Sequence, residues 1–471
     1  MEIWDLYDKN GVKTGETWER QWESTNKEIP EGRYHIVCEV LVRHKDGTFL
    51  LVKRDPNKEA YPGYWEASAG GSALAGEDPL TCVKRELLEE TGIVADRLVQ
   101  IGFTNERRPC LFYSYLAYTN CDKDAVKLQE GETVEYKWVD REGMLEYLDS
   151  DLAIKTHNYR SRRFFEKILK VDALADRPIA EWLKDVADDD FISPYPTYEI
   201  GKYFDRFHKV IYTYKDGRSM KYYYFDPREY GYPAGRKYPL LVSFHGSGNS
   251  FVGDTVINYT GAEFYASDEY QKTMGGAYIL VPVANEYKAE NGKTEGGWAP
   301  VYDDMVRAIL FEFIEEKTEG VTKKAYFGNS SGARYVFHMM DCYMNDFDIA
   351  IPIGGSDLPG PEKLQEFDAK GKHLFFALGK RDEFHKYDTA VVPKLPSLQA
   401  MKNCFIFIPE WVRNGDGGIA SIFGGVEMGQ HCLVNSMHIN LMFDDHTPMD
   451  DRLPNGVTGW LADIFHESDQ D

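Results

Sequence analysis

One stretch near the N-terminus, residues 71–93, decides the fold of the first third of the chain: Gly71-Ser-Ala-Leu-Ala-Gly-Glu77-Asp-Pro-Leu-Thr-Cys-Val-Lys-Arg85-Glu86-Leu87-Leu88-Glu89-Glu90-Thr91-Gly92-Ile93. Within it, Glu86, Glu89 and Glu90 stand at i, i+3 and i+4, so in a helix they share one face. Like charges at these spacings repel each other, which favours a compensating cation. Hard cations such as Mg²⁺ prefer carboxylate oxygens. The stretch therefore predicts a helix that holds a divalent metal, with a solvated acidic face as the alternative.

The same stretch carries the signals that begin and end a helix. Asp78 is a candidate N-cap, a proline follows it at the first helical position, and Gly92 marks the stop. We therefore predict a helix from Pro79 to Thr91. Apolar residues on an arc beside the glutamates would let this helix pack on a sheet while its carboxylates face a cleft.

A basic residue in this helix can organise the carboxylates. We expect Arg85 to pair with Glu77 or with a neighbouring carboxylate and so to orient the metal ligands. The surrounding apolar runs are short and β-rich, which predicts a mixed sheet with few helices. These runs are RYHIVCEVLVRH, TFLLVKR, YWEASA, RLVQIGF, CLFYSYLAY and EYKWVD, between residues 33 and 140.

The spacing of the stretch resembles the Nudix box, G-x5-E-x7-R-E-U-x-E-E-x-G-U with U apolar. Every fixed position matches, at Gly71, Glu77, Arg85, Glu86, Glu89, Glu90 and Gly92. The resemblance covers about residues 1–170 and implies an α/β/α sandwich with a mixed sheet. It also implies Mg²⁺-dependent cleavage of a nucleoside diphosphate linked to another moiety, with Glu86, Glu89 and Glu90 as metal ligands and Mn²⁺ as the alternative cation.

The N-terminal sequence, IWDLYDKNGVKTGE leading into YHIVCEVLVRH, is most similar to the branch of this family near isopentenyl-diphosphate isomerase. That isomerase needs a catalytic cysteine in the segment where this chain reads Trp65-Glu-Ala-Ser-Ala-Gly-Gly71. Because no cysteine is there, hydrolysis is favoured over isomerisation. Glu132 or Glu135 is a candidate for a further base or ligand, and a surface glutamate is the alternative for each.

A second motif lies in the last third of the chain. Lys324-Ala-Tyr-Phe-Gly328-Asn329-Ser330-Ser331-Gly332 reads as a strand running into Gly-x-Ser-x-Gly and then into a helix. Strand, turn and helix in this order are what a nucleophile elbow requires, because the glycines make room for a strained turn that exposes the serine hydroxyl. Ser330 is therefore the predicted nucleophile.

An activated serine needs a base, an acid that orients the base, and donors for the oxyanion. The elbow resembles that of α/β-hydrolases, in which nucleophile, acid and base follow one another in this order along the chain. The resemblance implies Asp382 as the acid, after the strand HLFFALG, with Glu383 as fallback, and His431 as the base, after the last strand. His438 and His446 compete with His431 for the role of base.

The donors for the oxyanion are sought near His245, where the strand YPLLVSF ends. This loop resembles the HG-type oxyanion loop of α/β-hydrolases. It implies one backbone donor from Gly246 or Ser247 and a second from Ser331. We expect His245 to support the loop rather than to transfer protons. Trp298 and Trp411 could line a substrate pocket, though burial explains them as well.

Residues from about 195 to 471 alternate strands and helices, which predicts a doubly wound, mostly parallel sheet. The region resembles the α/β-hydrolase fold, and is most similar to carboxylesterases related to polyhydroxybutyrate depolymerases and feruloyl esterases. The domain prediction is thus 1–170, a helical linker over 171–194, and 195–471.

Composition narrows the class of substrate. The chain has 54 Lys and Arg against 77 Asp and Glu, a formal net charge of −23, which disfavours binding to nucleic acid or to an anionic membrane. Seven scattered cysteines without metal or redox spacing, and no signal peptide or long apolar run, predict a cytoplasmic location.

Taken together, these features predict a bifunctional hydrolase of small-molecule diphosphates and esters. The alternative is that one domain is catalytic and the other binds or regulates. The oligomeric state is left open.

Overall fold

The computed structural model describes residues 2–9, 11–20, 29–105, 109–154, 183–193, 198–247, 253–259, 261–284, 287–288, 294–295, 297–420 and 429–467. The chain divides into two compact units: Met1–Lys170 with Phe251–Gly253, and Val171–Ser250 with Asp254–Asp471. Most of the predicted helical linker, 171–194, lies outside the described residues. Among the residues that are described, no helix has both the length and the apolar character needed to cross a bilayer.

The first unit is built on a mixed sheet. Its described strands and helices are β1 Ile3–Tyr7, β2 Lys13–Glu19, β3 His35–His44, β4 Phe49–Arg54, β5 Trp65–Ala67, β6 Ala69–Ser72, α1 Pro79–Thr91, β7 Arg97–Thr104, β8 Cys110–Thr119, β9 Thr133–Val139 and α2 Arg141–Asp149. The order is β5-β4-β3-β8-β7, with β6 also on β3 and β9 on β4. Strands β3 and β8 are parallel, and the other pairs in the sheet are antiparallel. The mixed α/β architecture expected for this region is confirmed.

Helix α1 begins and ends where its sequence signals predict. The Asp78 side chain accepts a hydrogen bond from the backbone N–H of Thr81 at 2.7 Å, which satisfies one free donor of the first turn. Gly92 adopts a left-handed φ of 70° and its N–H bonds to Leu88 O, the conformation that ends helices at glycine. Val83 and Leu87 are buried in the core that the helix shares with the sheet.

The second unit is a larger, mostly parallel sheet with helices between its strands. Its elements are β10 Ile192–Ser193, β11 His208–Thr213, β12 Ser219–Phe225, β13 Tyr238–Phe244, α3 Val256–Tyr259, α4 Ala262–Tyr265, α5 Asp268–Met274, β14 Tyr278–Val283, β15 Tyr287–Lys288, β16 Thr294–Glu295, α6 Asp303–Lys317, β17 Val321–Asn329, α7 Ser331–Tyr343, β18 Ile349–Ile353, α8 Pro361–Ala369, β19 His373–Ala377, α9 Leu395–Gln399, β20 Cys404–Phe407, β21 Ile419–Ala420, α10 Val434–His438 and α11 Gly456–Phe465.

The main sheet runs β11-β12-β14-β13-β17-β18-β19-β20. From β14 to β20 neighbouring strands are parallel, and β11 and β12 add an antiparallel edge. The predicted α/β-hydrolase fold is confirmed. The sequence patterns did not predict β11 and β12, because charged and polar residues interrupt the apolar positions of both strands, although most of β12 is buried.

Both faces of this sheet are covered by helices, as a doubly wound fold requires. Consecutive residues of β17 show it. The ring of Tyr326 stacks on Phe347 in the main core, with centroids 4.2 Å apart. The next residue, Phe327, contacts Tyr265 of α4 on the other face, with centroids 5.0 Å apart. Because side chains alternate along a strand, each strand contributes to two apolar layers, and the ends of the strands are left free to carry polar groups.

Candidate active sites

Ser330 sits on the sharp turn between β17 and α7. Its φ is 56° and its ψ is −110°, a conformation that costs a non-glycine residue free energy and is held only by its surroundings. Two glycines allow the turn. A Cβ at Gly332 would overlap the carbonyl oxygen of Phe244, and a Cβ at Gly328 would overlap that of Gly332. The Gly-x-Ser-x-Gly spacing is therefore required by close backbone packing.

His431 bridges the serine and an acid. Its Nε2 lies 2.9 Å from Ser330 Oγ and its Nδ1 lies 2.7 Å from Asp382 Oδ2. Because the carboxylate can only accept here, Nδ1 carries the proton and the Nε2 lone pair faces the hydroxyl. The other oxygen of Asp382 accepts from the backbone N–H groups of Phe384 and His385 at 2.8 and 2.9 Å. These bonds fix the carboxylate, so the three predicted residues form one connected array.

The fallback acid, Glu383, contacts the same histidine differently. Its carboxylate accepts from the backbone N–H of His431 at 2.6 Å and from that of Gln430 at 3.1 Å. Burial, followed by the neighbouring charge of Asp382, raises the pKa of Glu383 well above its usual value. Glu383 therefore holds the main chain of the histidine loop, and Asp382 holds the ring.

The two competing histidines have other partners. The Nδ1 of His438 lies 2.9 Å from the hydroxyl of Tyr198, and His446 is exposed in a turn with a positive φ of 65°. The imidazole bonded to Ser330 belongs to His431.

The residues expected to bind an oxyanion converge near Gly297. A Cβ there would lie 2.9 Å from the hydroxyl oxygen of Ser331 and 3.1 Å from that of Ser247. The Ser331 hydroxyl also accepts from the backbone N–H of Trp298 at 2.8 Å. Ser331 is the first residue of α7, so its own N–H has no acceptor within the helix. The hydroxyls of Ser247 and Ser331 therefore both approach Gly297.

His245 supports this loop. Its Nε2 accepts from the backbone N–H of Ala284 at 3.0 Å, and its Nδ1 lies 2.7 Å from Gly246 O. The backbone N–H must donate, so the ring proton is on Nδ1. Burial lowers the pKa of His245 to about 4, which keeps the ring neutral. Trp298 and Trp411 are buried, at 6% and 8% exposure, and pack against neighbouring rings and side chains.

In the first unit, Arg85 gathers three of the box glutamates. Its guanidinium donates to Glu77 at 2.8 and 2.9 Å, to Glu86 at 2.8 Å and to Glu89 at 3.1 Å. The structure therefore contains the predicted pairing of Arg85 with Glu77. Gly71 leaves room for this arrangement, because a Cβ there would overlap the carboxylate of Glu86.

Glu90 is the most enclosed of the three predicted ligands. Burial, followed by the charges of Glu66 and Glu86, raises its pKa well above the usual value. One of its oxygens accepts from the backbone N–H of Gly70 at 3.1 Å. Buried carboxylates crowded in this way need a counter-charge. Their carboxylate oxygens, and the space that Gly71 leaves beside Glu86, fit a divalent cation of the Mg²⁺ or Mn²⁺ type.

Glu66 is a member of this acidic cluster that sequence reasoning missed. It is 8% exposed and holds Arg54 through two hydrogen bonds of 2.9 and 3.1 Å. Only the pairing of β5 with β4 brings it beside the helix, and nothing in its local sequence marks it. Of the two candidate extra groups, Glu132 pairs with Lys58, and Glu135 pairs with Lys53 at 3.0 Å.

Part of the first unit is similar to known proteins. Residues 33–166 match the family model of the NUDIX domain. An uncharacterized Nudix hydrolase of Listeria monocytogenes is 40% identical over 96 residues, 20% of this chain and 54% of that protein. An isopentenyl-diphosphate Delta-isomerase of Corynebacterium diphtheriae is 31% identical over 102 residues, 22% of this chain and 53% of that enzyme. The chain spans about half the length of these curated relatives. The first unit therefore contains a Nudix domain.

Part of this chain also aligns with a solved structure. A feruloyl esterase module from Clostridium thermocellum aligns with 54% of this chain and 95% of the module, at 14% identity and a TM-score of 0.35. The fold of the second unit rests on its own strand order and not on this likeness.

Proposed function

We propose that the chain is a bifunctional hydrolase of small molecules. Its C-terminal unit hydrolyses an ester through an acyl-enzyme, and its N-terminal unit cleaves a diphosphate with a divalent cation. The observation that carries the proposal is the position of His431, whose two ring nitrogens lie 2.9 Å from Ser330 Oγ and 2.7 Å from Asp382 Oδ2. A serine beside a neutral imidazole with this orientation can lose its proton as it attacks a carbonyl.

The ester reaction proceeds in two halves. His431 Nε2 takes the hydroxyl proton as Ser330 Oγ bonds to the ester carbonyl, and Asp382 stabilises the resulting imidazolium. The N–H of Ser331 and one N–H from the 246–247 loop bind the oxyanion. The imidazolium then protonates the departing alkoxide, which leaves as an alcohol. Water repeats the sequence on the acyl group and releases the carboxylic acid.

The esterase half is tested with p-nitrophenyl acetate and a fluorophosphonate probe that labels activated serines. Ser330→Ala should lower kcat by about 10⁴-fold or more and abolish labelling. The matched control is Ser219→Ala, which removes an exposed serine at the start of β12 and should change neither readout. Labelling or turnover that persists in Ser330→Ala would refute the assignment.

In the diphosphate reaction, Glu86, Glu89 and Glu90 would hold the cation and Arg85 would orient Glu86 and Glu89. A bound Mg²⁺ or Mn²⁺ would polarise the diphosphate and acidify an attacking water. One oxygen of Glu90 accepts a hydrogen bond from the N–H of Gly70, which orients its carboxylate. Arg85 balances part of the acidic charge when the cation is absent.

The diphosphate half is tested on a panel of nucleotides joined by diphosphate to a second group, together with isopentenyl diphosphate. Released phosphomonoesters are detected through a coupled phosphatase, with and without Mg²⁺. Glu89→Gln should abolish metal-dependent release, and Glu142→Gln, on the exposed side of α2, should not. Formation of an allylic diphosphate without phosphate release would replace hydrolysis by isomerisation, the activity of the isopentenyl-diphosphate branch.

A further inference from the structure

Three side chains that could each offer a metal ligand lie close together, and one of them is the proposed base. Asp382, His385 and His431 each place one ligand atom within 4.8 Å of the others. Asp382 and His431 are buried and His385 is partly exposed. The ester mechanism uses the side chains of Asp382 and His431 and leaves the side chain of His385 without a role.

His385 is held in place from two directions. Its backbone N–H donates to Asp382 Oδ1 at 2.9 Å, and its ring stacks on His431 with centroids 5.6 Å apart and planes 28° apart. Its Nδ1 lies 2.8 Å from Ser356 Oγ, which leaves Nε2 as the ring nitrogen for a ligand. A hydrogen bond from the second ring nitrogen to a fixed oxygen is the usual support of a metal-binding histidine.

The donor set selects a particular kind of cation. One carboxylate oxygen and two imidazole nitrogens suit Zn²⁺, which binds such ligands at about 2.0–2.2 Å in tetrahedral sites with water in the fourth position. Mg²⁺ prefers an all-oxygen shell, so the acidic cluster of the first unit and this cluster differ in metal preference.

We propose that Asp382, His385 and His431 form an inhibitory Zn²⁺ site that switches off the esterase, an inference that rests on the proposed ester hydrolysis. The Zn²⁺ takes the lone pair of His431 Nδ1, and the proton of the neutral ring moves to Nε2. Asp382 exchanges its hydrogen bond for a bond to the metal. With a proton on Nε2, His431 cannot accept the hydroxyl proton of Ser330, and the first step of the reaction stops.

The experiment measures p-nitrophenyl acetate hydrolysis by the full chain in buffers of defined free Zn²⁺. Wild type should be inhibited by Zn²⁺ and unaffected by an excess of Mg²⁺. His385→Gln retains the backbone N–H that bonds to Asp382. Its inhibition, measured relative to its own rate without Zn²⁺, should be weaker than that of wild type by about tenfold or more, at least the loss that follows removal of a group supporting a metal ligand. The matched control, His446→Gln, removes an exposed histidine of the same unit and should be inhibited like wild type.

Direct binding separates this inference from the ester function. Co²⁺, a spectroscopic substitute for Zn²⁺, should give the visible absorption of a tetrahedral nitrogen-containing site in Glu89→Gln protein, and His385→Gln should remove it. Ester hydrolysis that Zn²⁺ does not inhibit, or that it inhibits equally in His385→Gln, overturns the site while leaving the esterase intact. If no ester is hydrolysed, the Co²⁺ spectrum alone decides: its absence, or its persistence in His385→Gln, overturns the site.

Discussion

The carboxylate of Glu383 accepts a hydrogen bond from the backbone N–H of His431 at 2.6 Å. The preceding residue, Asp382, accepts from the ring of the same histidine at 2.7 Å. Two consecutive acids thus hold one imidazole, one through its main chain and one through its ring. Substitution of each acid should therefore have a different effect on kcat.

Glu383→Ala removes the acceptor of the His431 backbone N–H, and one hydrogen bond contributes about 1 kcal/mol. Because ~1.4 kcal/mol corresponds to a tenfold change in rate, kcat for p-nitrophenyl acetate should fall by about tenfold, with little change in KM. Glu383→Gln retains one acceptor and should fall between this variant and wild type. Asp382→Asn should lower kcat by about 10⁴-fold, because it disturbs the tautomer of the His431 ring. The control Glu362→Ala removes an exposed glutamate of α8. A wild-type kcat in Glu383→Ala would show that the histidine loop needs no such support.

Gly332→Ala should destabilise the second unit by ~3 kcal/mol and abolish labelling of Ser330 by the fluorophosphonate. The added Cβ would overlap Phe244 O, so either β13 or the turn must move. Gly360→Ala is the matched control, since among the described residues no atom beyond its chain neighbours lies within 4 Å of the added Cβ. It should cost less than ~1 kcal/mol. Thermal unfolding followed by circular dichroism measures both, and equal losses in the two variants would contradict the packing argument.

Arg85→Lys and Arg85→Met distinguish orientation from charge in the acidic cluster. If Arg85 orients Glu77, Glu86 and Glu89, both variants should bind Mn²⁺ about tenfold or more weakly, as expected when a group that positions metal ligands is lost. If its charge merely repels the cation, Arg85→Met should bind more tightly. Lys84→Met, an exposed neighbour, controls for loss of charge. Isothermal titration calorimetry measures the affinity of each variant for Mn²⁺.

Glu263 should make the stability of the second unit depend on pH. Burial raises its pKa to about 7, from a usual value of 4.5. Because the folded state binds this proton more tightly than the unfolded state, the stability that it contributes is full below pH 4.5 and is lost as the pH rises through about 7. The loss is on the order of 3 kcal/mol.

Glu263→Gln should remove this dependence and raise the melting temperature at pH 8 relative to wild type. Glu269→Gln, which replaces an exposed glutamate on α5, is the control. Parallel pH profiles of wild type and Glu263→Gln would show that Glu263 does not carry the effect.

Local patterns determined much of this protein. The ends of α1 depend on Asp78 and Gly92, whose effects act within one helical turn. The nucleophile elbow depends on glycines two residues from Ser330, and the parallel strands are apolar because both of their faces are covered. These interactions join residues that lie close together in the sequence, so the sequence alone was sufficient to predict them.

The tertiary structure alone decided which distant groups meet. His431 is 101 residues from Ser330 and 49 from Asp382, and the sequence left His438 and His446 as competing candidates for the base. Glu66 joins the acidic cluster only through strand pairing, and His385 reaches His431 only through the packing of two loops. The physical reason is that a side chain's chemistry is local to its residue, whereas its partners depend on how the sheet brings the ends of separate strands together.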